Sequence, residues 1–235
     1  MRAMILAAGR GERMGSLTAN APKPLLYVAG KYLIEYAIFS LVKAGIKEIV
    51  INVSYQAEQI KTALGDGKRY GVTIFYSEEK ERLETGGGIF HALPLLGEEP
   101  FIVLSSDIIT DYPLHQLPQQ PEGLAHLVMV DNPPYHPEGD FGLREGRLVM
   151  NVQPTFTFGN ISIFRPEFFK NCEPGHFRLT TLLIPAVLAN QITGEHYRGA
   201  WYNVGTPSDL QEVNLRARED SNLRPLASET NTLSN

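Results

Sequence analysis

The sequence predicts an α/β fold: a three-layer sandwich with a mainly parallel central sheet, carrying a small β-rich subdomain. Three observations predict it. From Met1 to about Asp107, strand-sized apolar runs alternate with segments of helical period, the pattern of a parallel sheet covered by helices. After Asp107 the texture changes: prolines cluster, and LAHLVMV, GRLVMNV and TFTFGNISIF follow one another with little helix between them, which predicts a mixed or antiparallel extension of the sheet. A chain of 235 residues is long enough to bury a sizeable core in one large α/β unit.

Each element follows in order. MRAMILA reads as the first strand. In KYLIEYAIFSLVKAG, Leu33, Ile34, Ala37, Ile38, Leu41 and Val42 recur at a three-to-four spacing, which predicts an amphipathic helix closed by Gly45. EIVINV is the second strand, AEQIKTAL a short helix ended by Gly65 and Gly67, and VTIFYS a third strand. Thr85 through Leu96 reads as helix despite its three glycines, and FIVLSSD as a buried strand ending on an acid. Helical pieces resume at PEFFKN, TTLLIPAVLAN and PSDLQEVNLRARE. The final stretch, SNLRPLASETNTLSN, is polar, without aromatic residues or periodicity, and is expected to be disordered. The chain therefore divides into a single domain over 1–220 and a tail over 221–235.

Composition narrows the function. With 43% hydrophobic and 20% charged residues, the chain resembles an ordinary soluble globular protein. Its net charge of -5 offers no electrostatic case for a nucleic-acid or membrane-surface partner. No apolar run approaches the roughly 20 residues of a membrane helix. The N-terminal stretch runs straight into a glycine-rich loop instead of a small-residue cleavage site. Cys172 is the one cysteine, so neither an internal disulfide nor a C-x-x-C site is possible. A cytoplasmic location is expected.

The strongest signal is LAAGRGERMGSLTANAPKPLL, a strand followed at once by a glycine-rich loop. Gly9 and Gly11 can expose backbone N–H groups with no Cβ in the way, as a phosphate-binding nest requires. Arg10, Arg13 and Lys23 add positive charge, and Lys23 sits between Pro22 and Pro24, which stiffen the turn that presents it. A P-loop would need G-x-x-x-x-G-K-[ST], which is absent, and a dinucleotide fingerprint would need glycine where Met14 stands. By itself, G-x-G after a strand is also an ordinary strand-to-helix turn.

The combination L-A-A-G-x-G-x-R-M followed by P-K-P-L, present here from Leu6 to Leu25, resembles the signature of the sugar-1-phosphate nucleotidyltransferases. The similarity continues in order. LETGGGIFHAL resembles that family's base-recognition segment, LSSDIITD the strand end whose aspartate binds the catalytic magnesium ion, and GEHYRGAWYNVGTPSDL the closing segment W-x-D-V-G-T. In the last of these Asn203 stands where the family usually has Asp. Within the family, LETGGGIF, GLAHLVMVDNP and EHYRGAW are most similar to uridylyltransferases acting on N-acetylmuramate 1-phosphate, over roughly residues 1 to 215. Short guanylyltransferases acting on mannose 1-phosphate are the alternative, as are enzymes of other sugar or choline phosphates. A nucleotide-binding regulatory domain that has lost catalysis is a third reading, favoured by Asn203.

The resemblance implies a nucleotide-diphospho-sugar transferase type of fold, with a nucleotide-binding half (1–110) and a sugar-binding half (111–220). It implies that Leu6, Ala7, Ala8, Gly9, Arg10, Gly11, Thr85, Gly86 and Gly87 bind the nucleotide. Arg13, Lys23 and Asp107 would carry catalysis, and Asp107 with Asn203 would hold Mg²⁺, the cofactor it implies. Asp140, Asn160, Glu195 and Arg198 fall where the family contacts the sugar, although Asp140 and Asn160 beside glycines are also ordinary turn formers. The partners implied are a nucleoside triphosphate and a sugar 1-phosphate, with no nucleic acid and no membrane. Five scattered histidines, His91, His115, His126, His136 and His176, lack metal-ligand spacing. The run Glu78, Glu79, Lys80, Glu81, Arg82 reads as a solvated loop over the site.

Overall fold

The structure, a computed structural model, describes residues 1–219; the tail expected to be disordered lies outside the described residues. In the first half, β1 (Ala3–Leu6) runs into a loop with two 3-10 segments, Glu12–Thr18 and Lys23–Leu25. A hairpin of β2 (Tyr27–Val28) and β3 (Lys31–Tyr32) leads to α1 (Leu33–Lys43), then β4 (Glu48–Val53), α2 (Ala57–Leu64), β5 (Thr73–Glu78), α3 (Glu84–Leu96), β6 (Phe101–Ser105) and β7 (Ile108–Thr110). The second half contributes β8 (Ala125–Val130), β9 (Phe141–Arg144), β10 (Arg147–Val149), β11 (Thr155–Phe164), α4 (Thr180–Leu188), β12 (Ile192–His196), β13 (Trp201–Asn203) and α5 (Pro207–Glu219).

One nine-stranded sheet runs in the order β5-β4-β1-β6-β11-β8-β12-β10-β9. β1 pairs in parallel with β4 and β6, and β4 with β5. β11 then reverses direction, antiparallel to both β6 and β8, while β12 is again parallel to β8. The expected parallel half with a mixed extension is what the pairing gives. PEFFKN forms only a 3-10 turn, Pro166–Phe169, because Pro166 can start a helical turn but nothing after Lys170 sustains one. GRLVMNV pairs over three residues only, in a hairpin with β9.

The central strands are largely apolar because both their faces are covered. Along β1, Ala3 and Ile5 join one core while Met4 joins the other; along β4, Ile49, Ile51 and Val53 oppose Val50. The first core is closed by α1 and α2, the second by α3 and α4, which makes the three layers. In α1 the buried side chains are Leu33, Ile34, Ala37, Ile38 and Leu41, the stripe that its spacing predicts. Glu35 accepts the Tyr32 N–H at 2.7 Å at its start, and Gly45 at φ 84 ends it. Phe101, Phe164 and Phe169 are fully buried, with ring centroids 5.7 to 6.4 Å apart. Truncating any one of them to Ala costs about 3–5 kcal/mol. Among the described residues no helix is long and apolar enough to cross a membrane.

This topology fixes where a ligand can sit. β1, β4, β5 and β6 all end on one edge of the sheet, and β8 ends there too because it runs antiparallel to β11, which is antiparallel to β6. Ligands of open α/β sheets gather at that edge, where the strand order reverses.

Candidate active site

An open cleft of about 480 Å³ lies along this edge, within the size of small-molecule sites. It is lined in turn by four strand ends, Glu79 after β5, Asn52 of β4, the Leu6–Gly11 loop after β1 and Ser105 to Asp107 after β6, and then by Asn160 from within β11. The sheet order therefore sets the order of groups across the site.

The loop after β1 is held by side chains outside it. Asn52, the polar residue in an otherwise apolar strand, accepts the Ala7 N–H at 2.8 Å and donates to Glu79 Oε1 at 2.7 Å. Gly11 adopts φ 67, and a Cβ built there would lie 2.9 Å from Lys23 Cβ. Glycine is thus required twice, for its backbone angle and for the close approach of Lys23. Thr18 Oγ1 donates to the Gly11 carbonyl at 3.1 Å and closes the turn. Lys23 leaves its proline-flanked turn and places its Nζ 2.5 Å from Asp107 Oδ2. The two side chains are 11% and 23% exposed. Arg13 reaches the same region, its guanidinium packed against Gly205, where a Cβ would lie 3.1 Å from Nη2.

Asn203 reaches Asp107 through the strand pair β13–β7, in which it faces Ile108, and the neighbouring Val204 N–H donates to the Asp107 carbonyl at 2.9 Å. The Asn203 Oδ1 is buried without a hydrogen-bond partner, which is costly for an amide oxygen unless a cation or donor completes it. An orphan oxygen on the strand paired next to Asp107 fits one edge of a site for a hard divalent cation. Among the described residues no three His, Cys, Asp or Glu side chains converge as a metal cluster. Such an ion would need substrate oxygens to complete its shell.

Asn160 enters the cleft through a distortion of β11. Phe158 faces Met129 and Ser162 faces Leu127, so extra residues bulge out, and Asn160 sits there at φ 55. A Gly-Asn pair inside a strand is the sequence mark of such a bulge. Trp201 Nε1 fastens it by donating to the Gly159 carbonyl at 2.9 Å.

Most of the other expected residues lie elsewhere. Thr85 lines the cleft, but the Cβ directions of Gly86 and Gly87 are filled by Phe177 and Gly175, and that of Gly88 by Glu79 and Asn52. The glycine run lets protein segments pack tightly. Asp140 lies outside the lining, since its carboxylate accepts the Phe158 N–H at 2.7 Å and contacts His136 at 3.2 Å. Glu195 turns away to the Tyr112 hydroxyl and to His126 Nε2, 3.5 Å off, and the His126 contact holds its carboxyl below the ordinary value. Arg198 is exposed beside His196.

The expected solvated loop over residues 78–82 is corrected at one position. Glu79 is 5% exposed, and its Oε2 accepts the Leu83 N–H at 3.3 Å. Burial pushes its carboxyl pKa up against the opposing Asn52 hydrogen bond. Sequence reasoning also passed over Asn52, whose signal was a lone polar residue in EIVINV, and Gly205, whose signal was its place before Thr206. There the Asp209 carboxylate accepts the N–H groups of Gly205 and Thr206 at 2.9 and 2.7 Å.

A glycine loop, a lysine, an aspartate and an orphan amide oxygen at the switch point of an α/β sheet are the parts of a phosphate site, and residues 2–148 match the family described as Nucleotidyl transferase. The chain is a nucleotidyltransferase. This nucleotidyltransferase is 45% identical over 227 residues to an N-acetylmuramate alpha-1-phosphate uridylyltransferase of Neisseria meningitidis serogroup B, covering 92% of this chain and 98% of that one. It is 33% identical over 233 residues to a mannose-1-phosphate guanyltransferase of Hypocrea jecorina, covering 89% of this chain but 62% of that protein. Among solved structures, the enzyme superposes on a glucose-1-phosphate thymidylyltransferase of Bacillus anthracis with TM-score 0.83 at 20% identity, over 94% and 96% of the two chains. It superposes on the inositol-1-phosphate CTP transferase of T. maritima with TM-score 0.77 at 22% identity, over 93% and 96%. These two likenesses bear on the fold, which is that of the nucleotide-diphospho-sugar transferases.

Proposed function

We propose that this nucleotidyltransferase transfers UMP from UTP to N-acetylmuramate 1-phosphate, releasing pyrophosphate and giving UDP-N-acetylmuramate, with Mg²⁺ as cofactor. The observation that carries the choice is the match to the meningococcal uridylyltransferase, at 45% identity over 98% of its length. The guanyltransferase relative extends well beyond this chain, which spans 62% of it.

The cleft suits the reaction. An acceptor phosphate oxygen attacks the α-phosphorus in line, a new P–O bond forms, and the bond to the β-phosphate oxygen breaks as pyrophosphate leaves. Positioning and charge neutralisation dominate such transfers. The nucleotide is held by the Leu6, Ala7, Ala8, Gly9, Arg10 and Gly11 backbone, with its base toward Thr85 and Glu79. Arg13 faces the leaving pyrophosphate, and Lys23 the α-phosphate. Asp107 and Asn203 would hold Mg²⁺, which when bound neutralises the phosphate oxygens. The nucleotide-binding half is 1–110 and the sugar-binding half 111–220, with Asn160 toward the sugar. The expected setting is the cytoplasm, in recycling of a cell-wall sugar.

The test is pyrophosphate release in Mg²⁺ from five nucleoside triphosphates against several sugar 1-phosphates. Highest kcat/KM for UTP with N-acetylmuramate 1-phosphate is expected. Preference for GTP with mannose 1-phosphate would overturn the assignment.

A further inference from the structure

The connection between β8 and β9, residues 131–140, is tied down along its length. Asn132 Nδ2 donates to the carbonyls of Pro137 at 3.0 Å and Thr155 at 3.1 Å, and its Oδ1 accepts from Thr157 at 2.9 Å. Gly139 packs so close that a Cβ would lie 2.6 Å from Asn132 Oδ1. Asp140 anchors the far end on β11. Pro133, Pro134 and Pro137 reduce the freedom of the unfolded segment further. The connection is stiff, and it presents an aromatic ring to solvent: Tyr135 is 57% exposed.

Its hydroxyl is not free. It accepts the Asn203 Nδ2 hydrogen bond at 3.3 Å, and Asn203 faces Ile108, the residue after Asp107. The phenol therefore stands across the β13–β7 pairing from the residue next to Asp107, which lines the cleft. The sheet order gives its side. Glu79 follows β5 at one end, Asp107 follows β6, and Tyr135 follows β8, two strands farther from β5. With the base at the Glu79 end and the α-phosphate by Asp107, a ligand group beside Tyr135 belongs to the acceptor.

We propose that Tyr135 is an acceptor-binding and specificity residue, its ring covering a face of the sugar and its hydroxyl donating to the acceptor phosphate. This rests on the reading of the cleft as a nucleotidyl-transfer site with its base end at Glu79, and not on which sugar is used. A rigid aromatic side chain gives contact area at low entropic cost, and a phenol is a hydrogen-bond donor throughout the neutral range.

The experiment compares wild type with Tyr135→Ala and Tyr135→Phe, using whichever sugar 1-phosphate wild type turns over fastest. Each substrate is varied at saturating concentration of the other, and UTP binding is measured directly by calorimetry. Tyr135→Ala is expected to raise the acceptor KM about tenfold or more, leaving UTP affinity and KM within twofold. Tyr135→Phe should show a smaller rise, the hydroxyl's share. An unchanged acceptor KM in Tyr135→Ala, or an equal rise in both KM values, would overturn the proposal. Failure of the sugar assignment would show instead as wild type preferring another acceptor, with the Tyr135 contrast still readable on it.

Discussion

Replacing Lys23 by Met separates the two things a cation beside Asp107 does. Lys23 Nζ lies 2.5 Å from Asp107 Oδ2. At that distance a pair of unit charges interacts by about 1.7 kcal/mol at the dielectric of water and about 7 kcal/mol at an effective value near 20. The cleft is open, so the lower figure is the safer guide. A divalent ion arriving alone must displace this ammonium from the carboxylate, whereas one arriving with a nucleotide brings phosphates that give Lys23 a new partner. Lys23→Met is therefore expected to bind Mn²⁺ roughly 18-fold more tightly in the absence of nucleotide, 1.7 kcal/mol converted at RT. Its turnover should fall about 10²- to 10³-fold, because a charge aimed at the transferring phosphate is lost. Mn²⁺ binding read by electron paramagnetic resonance, and pyrophosphate release, measure the two effects on the same preparation. Unchanged or weaker Mn²⁺ binding by a folded variant would refute the competition, and turnover within threefold of wild type would remove Lys23 from the reaction.

Asn203→Asp gives the orphaned position a full negative charge, so the Mg²⁺ concentration for half-maximal activity should fall several-fold; identical midpoints with comparable turnover would mean that residue 203 does not reach the metal. Glu79 has its folded pKa raised above the ordinary 4.5 by burial, so the folded state binds the extra proton. Its contribution to stability is full below 4.5 and is lost as pH rises through the raised value. The melting temperature of Glu79→Gln minus that of wild type should therefore grow across that window and then level off, and a flat difference would contradict the burial argument. In Gly88→Ala the new Cβ would lie 2.6 Å from Glu79 Oε1 and 3.0 Å from Asn52 Nδ2. Overpacking of about 1–3 kcal/mol, offset by about 1 kcal/mol of helix propensity, should lower stability and UTP affinity together; wild-type values for both would show that the Asn52–Glu79 pair yields freely.

The sequence alone determined those features whose physics is local or periodic. The α1 stripe, the strands EIVINV and TFTFGNISIF and the α2 segment AEQIKTAL are set by side-chain spacing, and the structure has them at these residues. The loop after β1 was legible because glycines and prolines restrict the backbone wherever they stand, so Gly9, Gly11 and Lys23 could be named before any contact was known. Short strands such as β7 and β13, at three residues each, carry no period to read. Only tertiary structure decided which side chains spend their polar groups on protein. It buried Glu79 out of a charged run because Asn52, on a strand 27 residues earlier, offers it a donor. It turned Glu195 toward Tyr112 and His126, and it set Tyr135 beside Asn203 across 68 residues. Burial and pairing depend on what the sheet order brings alongside, and spacing within one segment does not contain that order.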